Sequence, residues 1–227
     1  MTKIFLPSSG PSDWQKLLAE PDKQWKTGYS ARSVAYCWEA ADELPSEIAN
    51  LFSASAEFDH QQPELLLAIP EYKVPLPGGS RESQNDVFAL IKCADRTVSM
   101  TVEGKVNEPF GPTLADWMAT PSEGKRTRLE YLQNLLGLPK QLPNDLYYQL
   151  LHRTASAVIE ARRFKTDAAA MIVHSFSQER MWFDAYAQFV DLLGVTETSG
   201  ELVSVSLPSG MPLCLGWAKG SKKYLEA

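Results

Sequence analysis

Thr97, Val98, Ser99, Met100, Thr101 and Val102 alternate polar with apolar side chains, and the run continues through Glu103, Gly104, Lys105 and Val106. Period-two alternation is the signature of a β-strand with one face in a core. Side chains two residues apart share a face, so Glu103 and Lys105 project together while Val102, Gly104 and Val106 face the other way. The apolar flank places this strand inside a sheet rather than at its rim. A carboxylate and an amine buried on a central strand are costly unless they have a task. The competing reading is an ordinary surface ion pair, worth a few tenths of a kcal/mol.

The rest of the chain alternates helical and strand-like segments. Ile4, Phe5 and Leu6 suggest a short edge strand, and Ser12 a helix cap. Ser30 is expected to cap a helix over residues 31–42, with Val34, Ala35, Trp38 and Ala41 as its apolar stripe. The unbroken apolar run Leu65–Ile69 reads as a strand covered on both faces. Residues 86–92 are ambiguous. Val87, Ala89 and Ile91 alternate as in a strand, the favoured reading, whereas Ser83 to Asp86 also fits a helix start. Helices follow over 113–118, over 122–136 with Gly137 as its stop, and from an Asn144 cap to Phe164. A buried strand over 168–173, a helix over 178–193 and a hairpin around Pro208, Ser209 and Gly210 close the chain. This order predicts one α/β domain, a mixed sheet between helical layers, with residues 1–29 as an N-terminal extension.

At 227 residues and 44% hydrophobic content the chain supports a sizeable core. Cys37, Cys93 and Cys214 form no CxxC pair, so a structural zinc site is not expected and a reducing cytoplasm is. Residues 1–7 are too short and too soon broken for a signal peptide, and no apolar run reaches membrane-spanning length. A net charge of −6 argues against indiscriminate nucleic-acid binding. It leaves room for a local basic groove drawn from Lys125, Arg126 and Arg128, from Arg162, Arg163 and Lys165, or from Lys219, Lys222 and Lys223. Neither a Walker A loop nor a Gly-x-Gly-x-x-Gly fingerprint occurs.

Asp86, followed at a distance by Glu103-x-Lys105 on a strand, resembles the active-site signature of the PD-(D/E)XK nuclease superfamily. Asn85 stands where that family normally has proline. The element order over residues 30–180 is also similar to a restriction-endonuclease-like core. The stretches 102–111 and 148–154 look like those of an uncharacterised bacterial protein family. The resemblance implies metal-dependent phosphodiester hydrolysis. Asp86 and Glu103 would ligate Mg²⁺ or Mn²⁺, and Lys105 would position or deprotonate water. It adds Gln149 as an accessory site residue on the later helix, and Glu39 on the first strong helix as a further metal ligand. The bland alternatives are a solvated helix face for Gln149 and a boundary carboxylate for Glu39. His152 and Arg153 lie beside Gln149. His174 reads as structural, since no nucleophile elbow surrounds Ser175. Two other functions fit the same residues: a non-catalytic interaction or regulatory protein on this fold, and a hydrolase working through His152 or His174.

Overall fold

The computed structural model describes residue 4 and residues 8–196 and 200–227. Its elements run α1 (Pro21–Gln24), α2 (Ser30–Glu39), α3 (Ser46–Ser53), β1 (Glu64–Val74), β2 (Ser83–Cys93) and β3 (Arg96–Lys105). They continue with α4 (Leu114–Met118), α5 (Glu123–Leu136), α6 (Tyr148–Phe164), β4 (Ala168–Ser175), α7 (Phe183–Leu192), β5 (Leu202–Ser206) and β6 (Pro212–Lys219). Among the described residues, six strands form one mixed sheet in the order β1-β2-β3-β4-β6-β5. The first three strands are an antiparallel meander. β3, β4 and β6 are parallel to one another, and β5 returns antiparallel at the edge.

The alternation of β3 sorts its side chains as expected. Val98, Met100 and Val102 join Val34, Trp38, Ile48 and Phe52 in the core beneath α2 and α3. Each large apolar side chain buried there contributes roughly 1.5–3 kcal/mol. The opposite face of β3, toward α6, is a row of buried polar groups: Ser99, Thr101, Glu103 and Lys105. The Thr166 hydroxyl donates to Ser99, and the Thr101 hydroxyl donates to the Arg153 carbonyl. One strand over, β4 faces α6 with Ala169, Met171 and Val173, which pack against Leu150, Leu151, Ala155 and Val158. The sheet thus carries a dry core on one face and, beside an apolar core, a polar seam on the other.

Several element boundaries differ from expectation. Residues 83–93 are a strand, which removes the helix-cap reading of Asp86. α2 has no side-chain cap of its own; its first N–H groups include that of Ser30, which donates to Glu108 Oε1 at 3.2 Å. α6 begins at Tyr148, not after Asn144. The Asn144 and Leu146 carbonyls instead accept from Ala115 and Leu114, tying the segment to α4. α7 starts only at Phe183, because Arg180 and Trp182 adopt left-handed backbone conformations. Ser122 and Gly137 bound α5 as read from sequence. Of the expected N-terminal edge strand, Phe5 and Leu6 lie outside the described residues, and Ile4 makes a parallel bridge to Ala68. No described helix is long and apolar enough to cross a membrane.

Candidate active site

The site lies where β2 leaves β3. Their pairing extends to Val87 opposite Val102, while β2 continues to pair with β1 as far as Ser83 opposite Val74. Past that fork the Gly104 N–H is left out of the β2 ladder, and it donates to Asp86 Oδ2 at 2.7 Å. The carboxylate therefore closes the fork. Gly104 is required there by space rather than by backbone angle. A Cβ would sit 2.4 Å from Val34 Cγ2, 3.0 Å from Asp86 Oδ2 and 3.4 Å from Ser30 Cβ.

Glu103 and Lys105 project from the same face, each 3% exposed. Lys105 Nζ donates to Glu103 Oε1 at 2.5 Å, and Arg153 Nε donates to Glu103 Oε2 at 2.5 Å. Both oxygens of Glu103 thus meet a cation. Burial pushes the Glu103 carboxyl up, but Arg153 and Lys105 outweigh it and hold it below the usual range. Lys105 also lies 4.9 Å from the centroid of the Phe110 ring. α6 brings Arg153 and Gln149 to the same place, four residues apart and so on one helix face.

A pocket of about 330 Å³ opens on these groups. Its walls include Glu71, Asp86, Glu103, Lys105, Gln149 and Arg153, and its rim includes Lys23 and Tyr29 from the N-terminal segment. Asp86, Glu103, Lys105 and Gln149, separated widely in sequence, therefore meet in one pocket. Gln149 is not on a solvated face: its Oε1 is buried and has no hydrogen-bond partner.

Glu39 is not among the residues lining this pocket. Its Oε1 accepts from Ser8 Oγ at 2.5 Å and from Trp14 Nε1 at 2.7 Å, pinning the N-terminal turn to the end of α2. The carboxylate that the sequence reading missed is Glu71, on β1. It stands between the registered pairs Pro70–Val87 and Tyr72–Asn85, on the strand flanking Asp86, with a left-handed φ of 50°. A non-glycine residue in that region within a strand is strained and is found where surrounding contacts over-determine it. Gln84 Nε2 donates to Glu71 Oε2 at 2.7 Å. The only sequence signal was an acidic residue directly after Pro70, inside a strand-like run.

The three carboxyls are not equivalent. Burial, reinforced by Glu103 and Glu71, raises the Asp86 carboxyl well above its ordinary range; Arg153 and Lys105 offset only part of this. Burial likewise raises Glu71 to about 7, against the pull of Gln84 and Arg153. Glu103 takes the two cations, and Asp86 and Glu71 are left facing each other's charge. Three carboxyls and an unpartnered amide oxygen line the pocket, an all-oxygen set, but the carboxyl oxygens do not all lie within 4.8 Å of one another.

The other expected residues have structural partners. His152 Nδ1 lies 2.7 Å from Ser83 Oγ, and loss of solvation together with Arg153, Arg128 and Lys105 depresses its pKa well below the ordinary value. His174 is buried on the opposite sheet face, with Nε2 2.8 Å from Glu47 Oε1. Arg128 donates to the carbonyls of Leu76, Pro77 and Gly79, and Lys125 to those of Trp117 and Thr120. Arg163 donates to the Tyr72 hydroxyl.

Residues 7–222 match the model of a family described as a domain of unknown function, DUF6946, and the chain belongs to that family. No curated protein and no solved structure matches the chain.

Proposed function

We propose that this pocket is a hydrolytic site of the PD-(D/E)XK type on a restriction-endonuclease-like core, taking a divalent cation and cleaving a phosphodiester. The observation that carries the reading is the convergence of Asp86, Glu103 and Lys105 on one pocket at the fork between β2 and β3. The helix–meander–helix–strand order of α2, β1–β3, α6 and β4 supports it. Asp86, Glu71 and Glu103 would hold Mg²⁺ or Mn²⁺. When bound, that ion supplies Lewis-acid stabilisation of charge on the scissile phosphate.

The chain's own groups divide the remaining work. Lys105, fixed by Glu103 and the Phe110 ring, positions the attacking water. Arg153 holds Glu103 in place and adds positive charge at the pocket wall. Gln149 offers its free amide oxygen to the same water or to the ion's hydration shell. Lys23 at the rim supplies a cation for a phosphate-bearing ligand, on a surface otherwise acidic overall.

The test is cleavage of single- and double-stranded DNA and RNA at low salt with Mg²⁺ or Mn²⁺, comparing wild type with Lys105→Met. Metal-dependent cleavage by wild type, reduced by roughly 100-fold or more in the variant, is expected for the loss of the group that positions the water. Absence of cleavage under all these conditions contradicts the nuclease reading. A second reading, a non-catalytic interaction protein on the same fold, is favoured by the double pairing of Glu103 and by the net charge of −6.

A further inference from the structure

On the sheet face away from the candidate active site, three elements bring Cys37, Glu47 and His174 together. Cys37 comes from α2, Glu47 from the first turn of α3, and His174 from the end of β4. Their ligating atoms all lie within 4.8 Å of one another. His174 Nε2 is 2.8 Å from Glu47 Oε1, and Cys37 Sγ is 3.6 Å from the same oxygen. Cys37 and His174 are buried in the core between α2, α3 and the sheet. His174 Nδ1 is buried and has no hydrogen-bond partner, and the thiol makes a long contact to Glu47 and a second one to the Tyr224 side chain.

We propose that Cys37, Glu47 and His174 form a binding site for a thiophilic divalent metal, Zn²⁺ being the best match. One sulfur, one nitrogen and one oxygen is a borderline-soft donor set, unlike the all-oxygen set on the other face. Tetrahedral zinc holds its ligands at about 2.0–2.3 Å, which puts them roughly 3.3–3.6 Å apart. The trio reaches that spacing by opening the Glu47–His174 contact slightly and drawing Cys37 inward. Zinc replaces the proton on the Cys37 thiol, which goes to solvent, and takes the place of the hydrogen between His174 Nε2 and Glu47, leaving a neutral imidazole with its proton on Nδ1. Three protein ligands leave a fourth position for water. Of the three, Glu47 also lines a surface pocket of about 220 Å³, with Asn50, Trp217 and Lys219. Lys223 is an opposing charge close enough to act on Cys37 and Glu47; it is exposed and held over the Tyr224 ring, 4.7 Å from its centroid. The absence of a CxxC pair hid the site from sequence reading, because its ligands come from residues far apart in the chain.

The probes are Zn²⁺, in competition with a chromogenic chelator, and Co²⁺, read by absorbance. Wild type is expected to take up one equivalent of zinc and to give a thiolate-to-cobalt charge-transfer band. Cys37→Ser and Glu47→Gln should each lose the band or weaken affinity by roughly tenfold or more. Asp86→Asn should keep both. A wild-type cobalt spectrum without the thiolate band overturns the proposal, as does zinc binding unchanged in Cys37→Ser or abolished only in Asp86→Asn. Should Cys37→Ser fail to fold, the wild-type cobalt spectrum and Glu47→Gln decide.

Discussion

Two carboxyls define the chemistry at the scale of single residues. Glu71 and Asp86 are pushed up, Glu71 to about 7, by burial and by the charge of Glu103, to which Glu71 adds at Asp86. Glu103, held down by Arg153 and Lys105, does the opposite. The sign of the pH dependence follows from proton counts. Between its unfolded value near 4.5 and its folded value of about 7, Glu71 holds a proton in the native state that the unfolded chain has released, and Asp86, raised as well, acts in the same direction. The stability they provide is therefore complete below that unfolded value and is lost as pH rises through the folded one. The contribution of Glu103 is complete above its unfolded value and is lost only in acid. In chelator, the melting temperature is expected to fall as pH goes from about 5 to about 8, by an amount on the order of 1–3 kcal/mol in stability. Saturating Mn²⁺ should flatten that slope, because a cation replaces the protons. A melting temperature rising with pH over the same range in chelator would show that the two carboxyls are not held neutral.

At the scale of elements, β3 was the most legible part of the sequence. Its alternation gave the strand, the faces and the joint projection of Glu103 and Lys105, because period two is fixed by backbone geometry. Asp86 on a neighbouring strand was legible through the alternation of Val87, Ala89 and Ile91. Helix starts were less so: Ser30 and Asn144 looked like caps, but Glu108 and the strand-like bridge of Tyr147 to Thr113 took over, and such tertiary partners leave no local trace. Glu71 was missed for the same reason, since its position depends on β1 pairing beside β2 and on one left-handed residue. Gly104 shows how closely the elements are fitted. Gly104→Ala would drive a methyl into Val34 on α2 and against Asp86, so either the helix or the carboxylate must move. Thermal unfolding should show a loss of about 1–3 kcal/mol, the range for overpacking a core. A neutral or stabilising effect would mean that α2 does not close over β3 as described.

At the scale of the whole molecule, the sheet separates two chemistries. The α6 face carries carboxyls, an amine and a guanidinium in one pocket, and the α2–α3 face carries the cysteine, histidine and glutamate cluster. The expected α/β architecture with a mixed sheet is what the chain forms. Of the basic residues read from sequence, Lys125 and Arg128 are spent on backbone carbonyls. Under the proposed function, with a net charge of −6 and both pocket cations paired to Glu103, nucleic-acid affinity is expected to be weak and strongly salt-dependent.

The central claim is that Glu71 and Asp86 are kept close, at a cost in stability, to hold a cation. Removing one charge should then improve the fold and destroy the function, the trade-off expected of a strained site. The direct measurement is calorimetric titration with Mn²⁺ of Cys37→Ser protein, which silences the second cluster, with and without Asp86→Asn or Glu71→Gln. The account predicts about one Mn²⁺ bound near neutral pH, binding lost in both carboxamide variants, and a melting temperature in chelator equal to or above that of the parent. Variants that bind Mn²⁺ like the parent, or a parent that binds none, would contradict it.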